Sequence, residues 1–193
     1  MSDFYELRRR RAPWGDYGDM LLNGMMNGHT YFDGTQEYSV ERAGPFVPPV
    51  MFPHGEFLVT SEAKAQIEKA GFTGLTFAPV TYNKVVSIDW RSWDRSADEP
   101  ETYPANGEPE NYIERRKHNP ELEASMPAIF VAVVPRIEGL QQKGSRAMIR
   151  GQAPDADIVR SYSILWVSGR FERFLSGNFG EWIDCVPADQ VDP

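Results

Sequence analysis

The hydrophobic and polar positions are most clearly ordered in LVTSEAKAQIEKAGFTGLTFAPV, residues 58–80. FLV at 57–59 is a short apolar run and predicts a buried strand. Thr60 follows as an N-cap, because its hydroxyl can accept from an orphan N–H of a first helical turn. Ala63, Ile67 and Ala70 then fall at i, i+4 and i+7, one narrow apolar stripe of a helix. Glu62 and Lys69 suit the positive and negative ends of its dipole, and Gly71 supplies the left-handed residue that stops it. Leu75 and Phe77 belong to a second apolar run closed by Pro79. Segment 57–80 is therefore predicted as strand, short helix, strand.

The same order returns in SILWVSGRFERFLSGNFGEWIDCVP, residues 163–187. An apolar run reaches a hydroxyl cap at Ser168. Phe171, Phe174 and Leu175 form a stripe at i, i+3 and i+4, Gly177 is placed to stop the helix, and WIDCVP is the outgoing strand. A shift of 108 positions aligns Val59 with Val167, Thr60 with Ser168, Ile67 with Leu175, Leu75 with Ile183 and Pro79 with Pro187. Two copies are too few for a solenoid.

The rest of the chain is less regular. The first 55 residues are rich in Gly, Pro, Asn and Met, and Pro45, Pro48, Pro49 and Pro53 are unfit for a central strand or helix interior. This region is predicted to be irregular with short edge strands, YFDG and EYSVER. Arg8 to Arg11 read as a solvated basic turn pairing with Asp16 and Asp19. After the strand VVSIDW the chain turns acidic and proline-rich, so 89–125 is predicted as a loop-rich insertion. AIFVAVV at 128–134 is a buried strand ended by Pro135. The pattern as a whole predicts a single α+β domain over 1–193, with a mixed or antiparallel sheet, a few short helices and long irregular loops. Ile67, Leu75, Phe77, Phe171, Leu175, Ile183 and the AIFVAVV run are expected to be buried in one core.

Composition narrows the function. With 41% hydrophobic residues the 193-residue chain can build a sizeable core. No run approaches the roughly 18–20 apolar residues of a membrane span, and the basic N-terminal stretch lacks the apolar segment of a secretory signal. One cysteine, Cys185, points to a reducing, cytoplasmic setting. The net charge of −8 argues against a nucleic-acid-binding surface and for solubility or a basic partner.

Catalytic chemistry is thin. His29 with Asp33 and His54 with Glu56 could offer metal ligands, but both pairs lie in glycine- and proline-rich sequence without helical i, i+4 spacing. His118 reads as a surface residue before a turn. Cys185 sits on a predicted buried strand and behaves as a small hydrophobe. No nucleophile elbow, phosphate loop or dinucleotide fingerprint is present. The chain is therefore read as a non-enzyme that needs no metal or cofactor. A small metal-dependent or carboxylate-based enzyme is the alternative. An acidic nucleic-acid mimic is another, although its carboxylates would form a regular stripe and these are clumped. Residues 94–110 hold Asp94, Asp98, Glu99, Glu101, Glu108 and Glu110 against Arg95. Trp90, Trp93, Tyr103 and Tyr112 interleave with them, the make-up of a partner-binding surface with aromatic anchors in a charged rim.

A hydrophobic strand running into V-[ST], a helix with Ile or Leu near its end, and then G-x-x-G-hydrophobic-x-F-x-P-V resembles a segment of bacterial immunity proteins encoded beside polymorphic toxins. LVTSEAKAQIEKAGFTGLTFAPV matches it almost throughout, LWVSGRFERFLSGNFGEWIDCVP more weakly, and LRRRRAPWGDYGDML is similar to the opening of such proteins. The likeness covers about a third of the chain and carries no catalytic residue. Some relatives bind metal through paired C-x-x-C motifs, which a chain with one cysteine lacks. The resemblance implies neutralisation of a cognate toxin, encoded next to the protein, by direct tight binding.

Overall fold

The computed structural model describes residues 4–30, 36–138, 140–143, 146–150 and 155–191. It is an α+β fold with mixed pairing and short helices, as the sequence pattern predicts, and its strands form two sheets. The chain divides into two compact units, one of residues 1–10, 63–77 and 132–193, the other of 11–62 and 78–131.

The second of these units holds a six-stranded sheet. Its strands are β2 (Met25–Thr30), β3 (Gln36–Gly44), β4 (Val50–Met51), β5 (Leu58–Thr60), β6 (Thr76–Ser87) and β7 (Ile129–Val133). Their spatial order is β2-β3-β6-β7-β5-β4, with β3 parallel to β6 and β5 antiparallel to both β4 and β7. One apolar cluster gathers Met26, Val40, Met51, Leu58, Val80, Ile129 and Val131. Helix α1 (Asp16–Asn23) precedes β2.

Arg42 on β3 is the largest polar side chain in this core and is fully buried. Its guanidinium donates to the carbonyls of Ala43 at 3.1 Å, Leu22 at 3.3 Å and Phe46 at 2.9 Å, and lies against the Met51 sulfur. Leu22 is in the last turn of α1, where carbonyls have no intrahelical donor and the dipole is negative. Arg42 therefore closes that helix end with a cation. Burial pulls its guanidinium down to about 10, which leaves it charged at neutral pH.

The other unit holds β1 (Phe4–Arg9), β8 (Leu140–Lys143), β9 (Arg146–Arg150), β10 (Ile158–Ser161), β11 (Ile164–Ser168) and β12 (Ile183–Val191). Their order is β10-β11-β1-β12-β9-β8. β1 is antiparallel to both β11 and β12, and β12 is parallel to β9. Phe4, Val159 and Trp166 are buried together on this sheet.

Both strand–helix–strand segments form. In the first, β5 leads into α2 (Ser61–Ala70) and then β6; in the second, β11 leads into α5 (Gly169–Phe179) and then β12. Gly71 has φ +68, the left-handed stop expected. The Ser168 hydroxyl accepts from the Phe171 N–H at 3.2 Å, so the cap is made. Ser168→Ala is expected to cost about 0.5–2 kcal/mol in denaturant unfolding; an unchanged midpoint would show that the cap contributes nothing.

Asp157, just before β10, ties the turn after α2 to the start of α5. One carboxylate oxygen accepts from the Thr73 N–H at 2.9 Å; the other accepts from the Ser168 hydroxyl at 2.7 Å. Arg170 grips both oxygens, donates to the Gly71 carbonyl at 3.1 Å, and stacks 4.6 Å from the Phe72 ring centre. The Phe72 ring packs in turn on Phe171 at 4.4 Å. Gly74 fits this junction because a Cβ there would lie 2.5 Å from the Ile158 carbonyl oxygen.

Several expectations are corrected. Helix α5 runs through Gly177 to Phe179, because burial of Leu175 and Phe179 on one face outweighs the glycine's low propensity. Pro79 and Pro187 do not end their strands. β6 pairs with β3 only from Val80 and β12 with β9 only from Ala188, so on that side each proline precedes the ladder that would need its N–H, while on the other side Pro187 lies opposite Tyr5 of β1. Ile67, Phe171, Leu175 and Ile183 are buried, but Leu75 and Phe77 are half-exposed, and the run 128–134 alternates with Ile129 and Val131 inward. These residues fall in two units rather than one core. The first 55 residues contain a helix and long strands; EYSVER lies within β3, an interior strand, and YFDG lies outside the described residues. Arg8 and Arg10 belong to β1 and its edge, and pair with Glu6 and Asp184 instead of Asp16 and Asp19.

Candidate partner-binding surface

After β6 the chain leaves the sheet through Ile88, whose N–H donates to the Gly44 carbonyl at 3.0 Å, and makes a single 3-10 turn over Trp90–Ser92. It returns through two short helices, α3 (Asn111–Glu114) and α4 (Pro120–Ser125), to β7. Between the 3-10 turn and α3, the acidic segment 93–110 lies on a floor of aromatic rings.

Trp90 is 1% exposed and meets Trp14 edge-on at 6.5 Å and Phe46 at 5.7 Å. Tyr112 is 0% exposed; its hydroxyl donates to the Thr102 carbonyl and burial pushes its phenol up to about 12. Trp93 is half-buried against Trp14 at 5.6 Å and Tyr112 at 6.2 Å. Trp90 and Tyr112 were expected as contact residues, and the structure assigns them instead to the core. Large rings bury best where their faces meet others, and here they hold the loop down.

Tyr103 is different, at 45% exposed. Its ring stands edge-on to Tyr17 at 5.2 Å, and the Tyr17 hydroxyl donates to the Gly107 carbonyl at 2.6 Å. The loop thereby presents an aromatic ring braced from beneath. Asp94, Asp98, Glu99, Glu101, Glu108 and Glu110, in the same segment, are all exposed. Asp94 orders its own turn by accepting from the Ser96 hydroxyl at 2.6 Å and N–H at 2.9 Å. Those two hydrogen bonds hold its carboxyl below the usual range.

A second feature was only half legible in the sequence. Arg116, Lys117, His118, Asn119, Pro120, Glu121 and Ser87 line an open groove of about 440 Å³. His118 is more than a surface residue, since its Nδ1 accepts from the Val85 N–H at 3.1 Å and its Nε2 lies 3.3 Å from Glu123. Asn119 donates its N–H to the Val85 carbonyl at 2.8 Å and caps α4 with its side chain. The run ERRKHN thus anchors the insertion to β6. The signal for this was Asn119-Pro120, a cap followed by proline.

His54 Nδ1 lies 3.0 Å from the Met26 carbonyl. His29 is on β2, its side chain and Asp33 lying outside the described residues. Among the described residues no group of three or more His, Cys, Asp or Glu side chains could hold a metal ion. Cys185 is on β12 opposite Leu7, and burial pushes its thiol up to about 12, which suits an inert apolar role. No helix among the described residues is long and apolar enough to cross a membrane. Comparison with protein-family models, curated proteins and solved structures finds no match to the chain.

Proposed function

We propose that the chain is an immunity protein of a bacterial polymorphic-toxin system, neutralising its cognate toxin by direct binding through segment 93–110. The observation that carries this reading is the braced loop: an exposed Tyr103 ring, its position set by Tyr17, lies in a segment of exposed carboxylates. Carboxylates at a rim raise the association rate with a basic surface, and an exposed ring held in place loses little entropy when a pocket closes on it. The loop is held by a buried aromatic floor, so binding need not order it first.

The test uses the toxin encoded beside the protein. Tyr103→Ala is expected to weaken binding by about 2 kcal/mol, roughly 30-fold in Kd, as hot-spot aromatics do. Replacing Asp98, Glu99, Glu101, Glu108 and Glu110 with their amides should slow association at low salt and flatten its salt dependence. An unchanged on-rate at both salt concentrations, with an unchanged Kd for Tyr103→Ala, would sink this assignment of the surface.

A further inference from the structure

We infer that the chain is an internal duplication whose two halves have exchanged their first strands. The 108-residue shift that aligns the two strand–helix–strand segments also holds for strand pairing beyond them. Val50 lies opposite Val59 and Met51 opposite Leu58; in the other sheet Ile158 lies opposite Val167 and Val159 opposite Trp166. All four positions move by the same 108. The hairpin β4–β5 therefore matches β10–β11.

The match continues on the far side. β6 begins its parallel pairing with β3 at Val80, and β12 begins its parallel pairing with β9 at Ala188, again 108 residues on. Each of those neighbours carries one more antiparallel strand, β2 on β3 and β8 on β9. The orders β2-β3-β6-β7-β5-β4 and β8-β9-β12-β1-β11-β10 are then the same sheet written twice.

The central strand of each is where the halves differ. β7 fills the slot between β5 and β6, with Ile129, Phe130 and Val131 opposite Thr60, Val59 and Leu58. β1 fills the slot between β11 and β12, with Phe4, Tyr5 and Glu6 opposite Ser168, Val167 and Trp166. Partner for partner, these are equivalent positions. Their burial agrees as well: Phe4, Glu6 and Leu7 are buried with Tyr5 half-exposed, and Ile129, Val131 and Ala132 are buried with Phe130 half-exposed. Yet β1 opens the first half of the chain and completes the sheet of the second, whereas β7 opens the second half and completes the sheet of the first. The acidic segment 88–128 lies outside the repeat and joins the halves.

A central strand serves two neighbours, so its loss would leave two unpaired edges in the middle of a sheet. Neither half can finish its sheet without a strand from the other. The two halves should behave as one folding unit even when the chain between them is cut.

The exchange is tested by inserting a protease site between Asp98 and Glu99, in the exposed acidic loop, and cutting the folded protein. Leu7→Cys places a thiol opposite the native Cys185, across the β1–β12 pair. Leu58→Cys with Val131→Cys does the same across β5–β7, in a Cys185→Ala background. The cut protein is expected to elute as one particle and to separate only in denaturant. At least one cysteine pair should hold the fragments together on a non-reducing gel until reductant is added. Fragments that part in native buffer would overturn the exchange, and so would a cut particle that stays together while neither pair cross-links. The protease-site protein without added cysteines supplies the elution result even if a cysteine variant does not fold.

Discussion

Replacing Arg42 with alanine is expected to destabilise the protein by about 4 kcal/mol or more, since a large buried side chain is lost and its acceptors are stranded. The guanidinium is 0% exposed and donates to three main-chain carbonyls, one of them in the last turn of α1. Among the described residues its hydrogen-bond partners include no carboxylate; the negative end of the helix dipole and the fixed carbonyls supply the compensation. Lysine should restore less than half of the loss, because a single ammonium cannot reproduce the planar fork that reaches Ala43, Leu22 and Phe46 together. Chemical denaturation of wild type, Arg42→Ala and Arg42→Lys decides the matter. A lysine variant of wild-type stability would mean that the charge alone matters and the fork does not.

The second large effect is expected at Asp157. Asp157→Asn should cost about 2–3 kcal/mol at pH 7, the range of a charge-assisted hydrogen-bond set whose arginine is half in water. Burial alone would raise this carboxyl, but hydrogen bonds from Arg170, the Thr73 N–H and the Ser168 hydroxyl outweigh it and hold the group well below the usual range. A carboxyl depressed in the folded state binds protons more weakly there than in the unfolded chain. Its stabilisation is therefore complete above the unfolded value, near 4, and fades as pH falls below it. The gap between wild type and Asp157→Asn in urea melts should be constant from pH 7 to about 5 and then narrow at lower pH. A gap that widens on acidification would contradict this account of Asp157.

The segments that could be read from sequence are those whose signals are local. Around Thr60 a cap, a stripe and a stop agree within a dozen residues, around Ser168 a cap and a stripe do although Gly177 does not stop the helix, and both helices form. Helix α1 was hidden because DYGDML looks like turn sequence. Gly18 is there for a packing reason: a Cβ would sit 1.7 Å from the Pro13 carbonyl oxygen. Sequence shows that a glycine is present, and only the fold shows which neighbour requires it. The rings of the acidic segment were not sorted, since Trp90 and Tyr103 look alike as aromatic residues beside charge. What separates them is distance from Trp14 and Phe46, residues more than 40 positions away in the chain. The strand orders were beyond reach for the same reason, depending on pairings such as Phe4 with Ser168.

The insertion departs from the end of β6, and on its return the Asn119 N–H donates to the Val85 carbonyl near that same end at 2.8 Å. Its two ends are thus fixed close together whatever lies between them, and lengthening such a loop costs only about 0.6 kcal/mol per doubling. Residues between Trp93 and Glu110 can accordingly drift, shorten or grow while the sheet and the rings beneath stay constant. Under the proposed function, such an arrangement would let recognition change by replacing a single contiguous stretch of the gene. A lineage pressed to follow a changing adversary could retarget itself there without refounding its fold.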